Sequence, residues 1–466
     1  MKKNKLYING EWIDSKSMEL IEVENPATKE IIGRVAAANE EDVNMAVQGA
    51  KKSLKMWKNK KVEDRIEYIE KMLEYFKQNA DDISNTVLLE LGSAGKVTKP
   101  LHVTSYFENI EDFIRLAKDM KFVDNFKNYD VYKEPVGVVA CLTPWNFPFG
   151  QIVKKVIPAL LMGNTVVLKP SQNTPFTAFY FAYAAEHAKL PGGVLQIVTG
   201  RGAEVGNILA RHKDINMISF TGSTSGGKEV SKIAIEGIKR LSLELGGKSA
   251  SIILEGADYE SAVKKTLFEV FPNAGQACSS TTRLLVPKKL KDSIEDLVVK
   301  HSKKFKYGDP TNKENHFGPL QSKKAYDKVL QYIETGKKES KLLFEGEWLK
   351  ENGYFVPPVV FTDVKNDAKI AQEEIFGPVL CIIYYENVEE AIEIANDTVY
   401  GLYGMVFGPE EEALEVAKSI DAGQMVINDG KWTHNAPFGG FKQSGLGREG
   451  GIYGLEEYIE LKTIFR

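Results

Sequence analysis

The sequence predicts an α/β protein with two parallel-sheet units in succession, and three observations carry this expectation. From residue 136 onward, short β-branched runs at 136–142, 164–168, 194–198, 215–220 and 241–245 alternate with helical stretches, the pattern of a doubly wound parallel sheet. The alternation restarts after Gly246-Gly247, with strands expected at 251–254 and 282–287 and helices at 259–271 and 294–305. The 466 residues also suffice for two or three domains, each with a sizeable core.

Ahead of these units, residues 6–13 read as a hairpin turning at Asn9-Gly10. Between 64 and 83, Ile66, Ile69, Met72, Leu73 and Phe76 recur at three- and four-residue steps, so an amphipathic helix is expected there, in a largely helical N-terminal region. Segments 122–133 and 456–466 fit neither sheet. Both read as extended, and such strands either edge a sheet or pair with another subunit. The sequence holds no internal repeat and no low-complexity tract, so linkers should be short turns.

Composition narrows the function classes. Lys and Arg total 60 against 64 Asp and Glu, a formal charge of −4 that supplies no basic field for a nucleic-acid backbone. With 43 % hydrophobic and 27 % charged residues the chain resembles ordinary globular proteins. It has no apolar stretch approaching a membrane span, and residues 1–10 turn polar before a secretory leader would develop. No membrane partner and a cytoplasmic location are therefore expected.

The three cysteines are widely spaced and form no CxxC pair, which speaks against disulfides and zinc knuckles. Cys141 and Cys381 each lie inside an apolar strand pattern and read as core. Cys278 differs, because Asn273-Ala274-Gly275-Gln276-Ala277-Cys278-Ser279-Ser280 surrounds it with small and polar residues that leave a thiol reachable. The six histidines are scattered at no metal-ligand spacing, so no metal site is expected.

Other candidates stand at strand ends, where α/β sheets hold ligands. Glu244, in Leu243-Glu244-Leu245-Gly246-Gly247-Lys248, is a carboxylate before a glycine turn, a position equally suited to a solvated strand end. Thr143-Pro144-Trp145-Asn146-Phe147-Pro148 holds Asn146 between aromatics and prolines, stiff enough to fix an amide donor, or simply a structural turn. Phe220-Thr221-Gly222-Ser223-Thr224-Ser225-Gly226-Gly227 leads from strand to helix, a geometry that suits pyrophosphate but also merely joins elements. Gly200-Arg201-Gly202-Ala203-Glu204-Val205-Gly206 misses the dinucleotide fingerprint by one residue and reads as a decoy.

These motifs, taken in order with Leu168-Lys169-Pro170-Ser171, Gly275-Gln276-Ala277-Cys278, Glu373-Glu374-Ile375-Phe376-Gly377-Pro378 and Pro437-Phe438-Gly439-Gly440-Phe441-Lys442-Gln443-Ser444-Gly445, resemble the aldehyde dehydrogenase superfamily across the whole chain. The resemblance implies a Rossmann-like cofactor domain (1–116 and 136–246), a second α/β catalytic domain (247–447) and a small β oligomerisation arm (117–135 and 448–466), hence a homodimer or homotetramer. It implies NAD(P)-linked oxidation of an aldehyde to an acid, with Cys278 as nucleophile, Glu244 as general base for hydrolysis and Asn146 as oxyanion donor. Lys169 matches the residue at the adenine-side ribose, Ser223 the one near the pyrophosphate, Glu374 the one at the nicotinamide ribose and Phe376 the one beside the ring. Thr143, Trp145, Ser171, Gln172, Gly222 and Leu245 complete the expected cofactor contacts. Lys155 and Glu449 resemble positions assigned to proton handling in some relatives.

Two departures bear on specificity. Gln172 stands where the NAD-preferring pattern often has Glu, so NAD is expected with NADP as the alternative; Ser280 stands where many relatives carry Ala. Relatives that pass the acyl group to coenzyme A lack a carboxylate at Glu244, so hydrolysis is favoured. Phe147, Phe149, Gln151, Ala277, Ser279 and Phe441 are expected around a small to medium aliphatic or aromatic aldehyde.

Overall fold

The computed structural model describes residues 4–466; the first three residues of the polar opening lie outside them. The first sheet has eight strands in the spatial order Glu11–Ile13, Leu6–Ile8, Leu195–Ile197, Thr165–Lys169, Val138–Leu142, Met217–Thr221, Arg240–Glu244 and Gly445–Leu446. Its five central strands are parallel, and the opening hairpin and Gly445–Leu446 add antiparallel edges. Val138–Leu142 and Thr165–Lys169 are buried along their whole length, which explains their unbroken apolar sequence.

From Val138–Leu142 the chain winds outward through Thr165–Lys169 and Leu195–Ile197, then returns to Met217–Thr221 on the other side. The strand order therefore reverses between Leu142 and Thr221, and a crevice opens beyond the carboxyl ends of these two strands.

The second sheet has seven strands, in the order Lys341–Glu345, Val359–Thr362, Val379–Tyr385, Arg283–Pro287, Ala250–Ile253, Tyr403–Phe407 and Gln424–Ile427, parallel except for the first. The helices expected here run over Tyr259–Val270 and Lys291–Ser302. Cys141 and Cys381 are fully buried in their strands, as their apolar settings foretold.

The two segments that fitted neither sheet pair with each other. Ile459–Phe465 runs antiparallel to Tyr129–Pro135, which also pairs with Val123–Asn125, giving a three-stranded sheet with Ile459–Phe465 at its edge. Among the described residues no helix is long and apolar enough to cross a membrane.

Two expectations need correction. The helix at 64–83 is two helices, Val62–Gln78 and Ala80–Leu91, because Asn79 leaves helical geometry and turns its amide back onto the Tyr75 carbonyl at 2.8 Å. The N-terminal region is also less helical than expected, since a second hairpin, Leu20–Glu24 with Ile31–Ala36, precedes the first helix, Glu40–Lys58.

Candidate active site

The crevice at the first sheet's reversal widens into a cleft of about 710 Å³. The three expected catalytic residues, Asn146, Glu244 and Cys278, line it, together with the expected cofactor contacts Thr143, Trp145, Lys169, Ser171, Gln172, Gly222, Ser223, Leu245, Glu374 and Phe376. A second cavity of about 580 Å³ opens on the other side of Cys278. Among the described residues Cys278 alone lines both.

Backbone geometry presents this thiol. Asn273, Ala274 and Gly275 take φ of 53°, 54° and 71° in succession, and left-handed geometry at the first two is strain held by the surroundings. A Cβ at Gly275 would lie 2.1 Å from the Gly377 carbonyl, so only glycine lets the two loops approach so closely. Asn273 Nδ2 donates to the carbonyls of Asn146 (3.1 Å) and Gln276 (3.2 Å), and Asn146 Nδ2 donates to the same Gln276 carbonyl (3.0 Å). Gln276 Oε1 in turn accepts from the Gln321 N–H at 2.9 Å. This web fixes the Asn146 amide beside Cys278, and the second Nδ2 proton is left for a ligand. The Cys278 backbone N–H donates to no acceptor among the described residues. Asn273, Gln276 and Gln321 were not singled out by the sequence, although two of them sit within the Cys278 motif.

Glu244 ends its strand in register with Thr221. Neither carboxylate oxygen has a well-formed hydrogen bond among the described residues. Burial, then the Glu449 carboxylate, raises the Glu244 carboxyl to about 8, opposed by the Cys278 thiol, Lys155 and Lys154. Cys278 is raised well above an ordinary thiol, first by burial and then by Glu244, with Lys154 pulling the other way. Behind them, Lys155 and Glu449 form a buried ion pair, with Thr221 Oγ1 3.5 Å from the same Glu449 oxygen.

The far end of the cleft carries groups suited to a dinucleotide. Lys169 is buried, donates to the Pro170 carbonyl (3.0 Å), and is lowered by burial to about 8. Gln172 Oε1 accepts the Gly202 N–H at 3.0 Å. Gly202 and Gly206, from the segment read as a decoy, line the cleft through this helix start. Ser223 caps the thirteen-residue helix Thr224–Glu236, accepting from the Gly226 N–H at 3.1 Å. Glu374 Oε1 accepts the Gly247 N–H at 3.2 Å, and burial raises its carboxyl. A Cβ at Gly246 would lie 2.8 Å from that carboxylate, so glycine keeps the space before it open. Phe376 has φ of 62° and meets the Trp145 ring edge-on at 5.4 Å.

The second cavity is lined mostly by apolar groups. Phe147, Gln151, Ala277 and Ser279 face it as expected. Phe149 and Phe441 do not: Phe149 packs in the core against Phe76 and Phe181, and Phe441 lies exposed beneath Arg448. Tyr106, Lys154 and His434 line it without having been foreseen.

A sequence profile described as the aldehyde dehydrogenase family matches residues 12–464. A Staphylococcus haemolyticus protein whose name gives the family and no substrate is 43 % identical over 463 residues, covering 98 % of each chain. Aldehyde Dehydrogenase C of Pseudomonas syringae, solved as a cysteine-to-alanine variant with NAD+ and octanal, superposes with a TM-score of 0.98 at 39 % identity, over 99 % of this chain and 96 % of that one. The NAD+ complex of a Bacillus cereus aldehyde dehydrogenase superposes with a TM-score of 0.96 at 37 % identity, over 100 % and 96 % of the two chains. With a thiol at the meeting of two cavities, a two-sheet architecture shared with these enzymes and matches over nearly its full length, the chain belongs to the aldehyde dehydrogenase family.

Proposed function

We propose that the protein oxidises an aldehyde to a carboxylic acid with NAD as the hydride acceptor and water as the oxygen donor. The observation that carries this reading is the position of Cys278, reachable from a cleft suited to a dinucleotide on one side and from a largely apolar cavity on the other. The NAD+ bound by the Pseudomonas and Bacillus relatives supports the choice of cofactor.

The Cys278 thiolate adds to the carbonyl carbon, and the oxyanion that forms accepts hydrogen bonds from Asn146 Nδ2 and the Cys278 N–H. When bound, nicotinamide supplies the acceptor for the hydride that leaves this carbon, so that a thioester on Cys278 remains. Glu244, as carboxylate, takes a proton from the water that attacks the thioester; the acid departs and the thiol is restored. Lys169 would hold the adenine-side ribose, Glu374 the nicotinamide ribose, and Ser223 with Gly222 the pyrophosphate, while Thr143, Trp145, Ser171, Gln172, Leu245 and Phe376 shape the remaining walls.

In this reading residues 1–116 and 136–246 bind the cofactor, 247–447 supply the nucleophile, and 117–135 with 448–466 assemble a homodimer or homotetramer. The assembly role is supported by the edge strand Ile459–Phe465, which exposes Leu461, Ile464 and Phe465. Three free cysteines, one of them the reagent, suit a reducing cytoplasm.

The test follows NADH appearance for wild type and Cys278→Ala over uncharged, anionic and amino aldehydes without coenzyme A. Wild type should yield acid and NADH, and Cys278→Ala should lose at least about 10³-fold in kcat. Turnover that depends on coenzyme A and releases an acyl-CoA would overturn the hydrolytic reading.

A further inference from the structure

Lys154 is 4 % exposed, yet its ammonium has no hydrogen bond and no ion pair among the described residues. It lies over two aromatic faces, Phe438 at 4.6 Å and Trp432 at 5.8 Å, and its charge acts on Glu244 and Cys278 without pairing with either. A cation held over aromatic rings recovers only part of the hydration it gives up, and buried charges are ordinarily paired. The next residue shows the ordinary solution: Lys155 is fully buried and pairs with Glu449. Lys154 therefore lacks a partner that its neighbour has.

The unpaired ammonium lines the aldehyde-side cavity with Cys278. Phe147, Gln151 and Lys154 follow one another at steps of four and three around the start of the helix Pro148–Leu161, which brings all three to this wall. Gln151 is 4 % exposed; its Oε1 has no partner and its Nε2 donates to no acceptor among the described residues, so the amide can turn its N–H donors toward the cavity. Tyr106 lines the same wall, and its phenol is held protonated by burial above all. Ammonium, amide and phenol together offer donors that suit a carboxylate. Two acidic side chains share the cavity, but neither pairs with Lys154: Glu108 is exposed, and burial raises the Glu269 carboxyl.

We propose that Lys154 is a specificity-determining residue that receives an anionic group of the substrate, so that the preferred aldehydes carry a carboxylate at the end remote from the reacting carbonyl. This rests on the dehydrogenase reading and narrows its substrate class. A carboxylate entering the cavity gains a charge-assisted partner that an uncharged aldehyde does not, an advantage of about tenfold to hundredfold in kcat/KM.

The test compares 4-oxobutanoate and 5-oxopentanoate with butanal and pentanal in wild type, Lys154→Met and Lys154→Arg. Wild type should favour the oxo acids; the ratio of kcat/KM for oxo acid over alkanal should fall about tenfold or more in Lys154→Met and be largely kept in Lys154→Arg. A second readout needs no turnover. Among the described residues Cys278 alone is a partly accessible thiol, so the alkylation rate ratio of iodoacetate to iodoacetamide reports the charge beside it, and this ratio should fall in Lys154→Met. A wild-type preference for alkanals, or an equal loss on both substrate classes with an unchanged alkylation ratio, would overturn the assignment and make Lys154 an aid to thiolate formation alone. No turnover of any aldehyde with NAD or NADP would instead remove the dehydrogenase reading on which it rests.

Discussion

The Glu244 carboxylate and the Cys278 thiol face each other where the two cavities meet, and they act on each other unequally: after burial, Glu244 is the main reason the thiol resists ionising, whereas the thiol draws the Glu244 carboxyl down against burial and Glu449. In the proposed mechanism the pair must lose a proton before either attack or hydrolysis begins, and its apparent titration belongs to both groups. Burial thus favours the protonated form of both groups.

Turnover should therefore rise with pH through about 8, the value to which Glu244 is raised, because the base acts only as carboxylate. Glu244→Gln should remove that inflection and lower steady-state turnover about 10²- to 10⁴-fold. It should also speed alkylation of Cys278 by iodoacetamide above about pH 8, where wild-type Glu244 is charged and raises the thiol. The sign for stability follows. Folded Glu244 keeps its proton to about 8, whereas an ordinary Glu releases it near 4.5, so the group's contribution is present at low pH and lost as pH rises between these values. Glu244→Gln should then melt above wild type at alkaline pH, with the difference closing toward pH 5. An unchanged alkylation profile would break the proposed coupling.

Asn146 is held by the Gln276 carbonyl at 3.0 Å while its own carbonyl takes a hydrogen bond from Asn273. A donor fixed before the charge develops stabilises the transition state more than the ground state. Asn146→Ala should lower kcat about 10²- to 10³-fold with a smaller change in KM. Kinetics showing a raised KM at constant kcat would assign Asn146 to substrate binding instead.

The parts of the molecule legible in its sequence were those whose environment is uniform. Val138–Leu142 is buried on both faces and reads as an unbroken β-branched run. The hairpin Leu20–Glu24 with Ile31–Ala36 was hidden because Leu20 and Ile31 are exposed, blurring the alternation that marks a half-buried strand. At the site, motifs named the residues of the cofactor-side cleft, but the aldehyde side depended on helix phase. Phe149 and Gln151 are two residues apart and point to different surroundings, one to the core and one to the cavity. Lys154, adjacent to Lys155 in an otherwise apolar helix, was the overlooked signal: two lysines in a buried helix call for two partners, and only one is supplied by the fold.

In the proposed site Gln172 bears on cofactor choice: its Oε1 is bound by the Gly202 N–H, and it adds no charge to the wall shared with Lys169. Glu at this position could keep that hydrogen bond while adding a negative charge that repels a 2′-phosphate. Gln172→Glu should lower kcat/KM with NADP about tenfold or more while changing NAD far less. Equal effects on both cofactors would place Gln172 away from the ribose. In wild type NAD should be the better cofactor, and comparable efficiency with NADP would refute that preference.

Lys155 and Glu449 test how this interior is held together, because both are nearly inaccessible and each is the other's charge partner. Removing one leaves an uncompensated charge, which costs about 3–5 kcal/mol, whereas replacing both with neutral groups of similar size is far less damaging. Lys155→Met and Glu449→Gln should each lower the urea midpoint strongly, and the double variant should regain much of the loss; additive losses would show that the pair is not coupled. The same variants report on catalysis in opposite directions. Glu449 raises the Glu244 carboxyl and Lys155 lowers it, so Glu449→Gln should move the turnover profile to lower pH and Lys155→Met should move it higher. A structural pair acting only on stability would leave both profiles where the wild type has them.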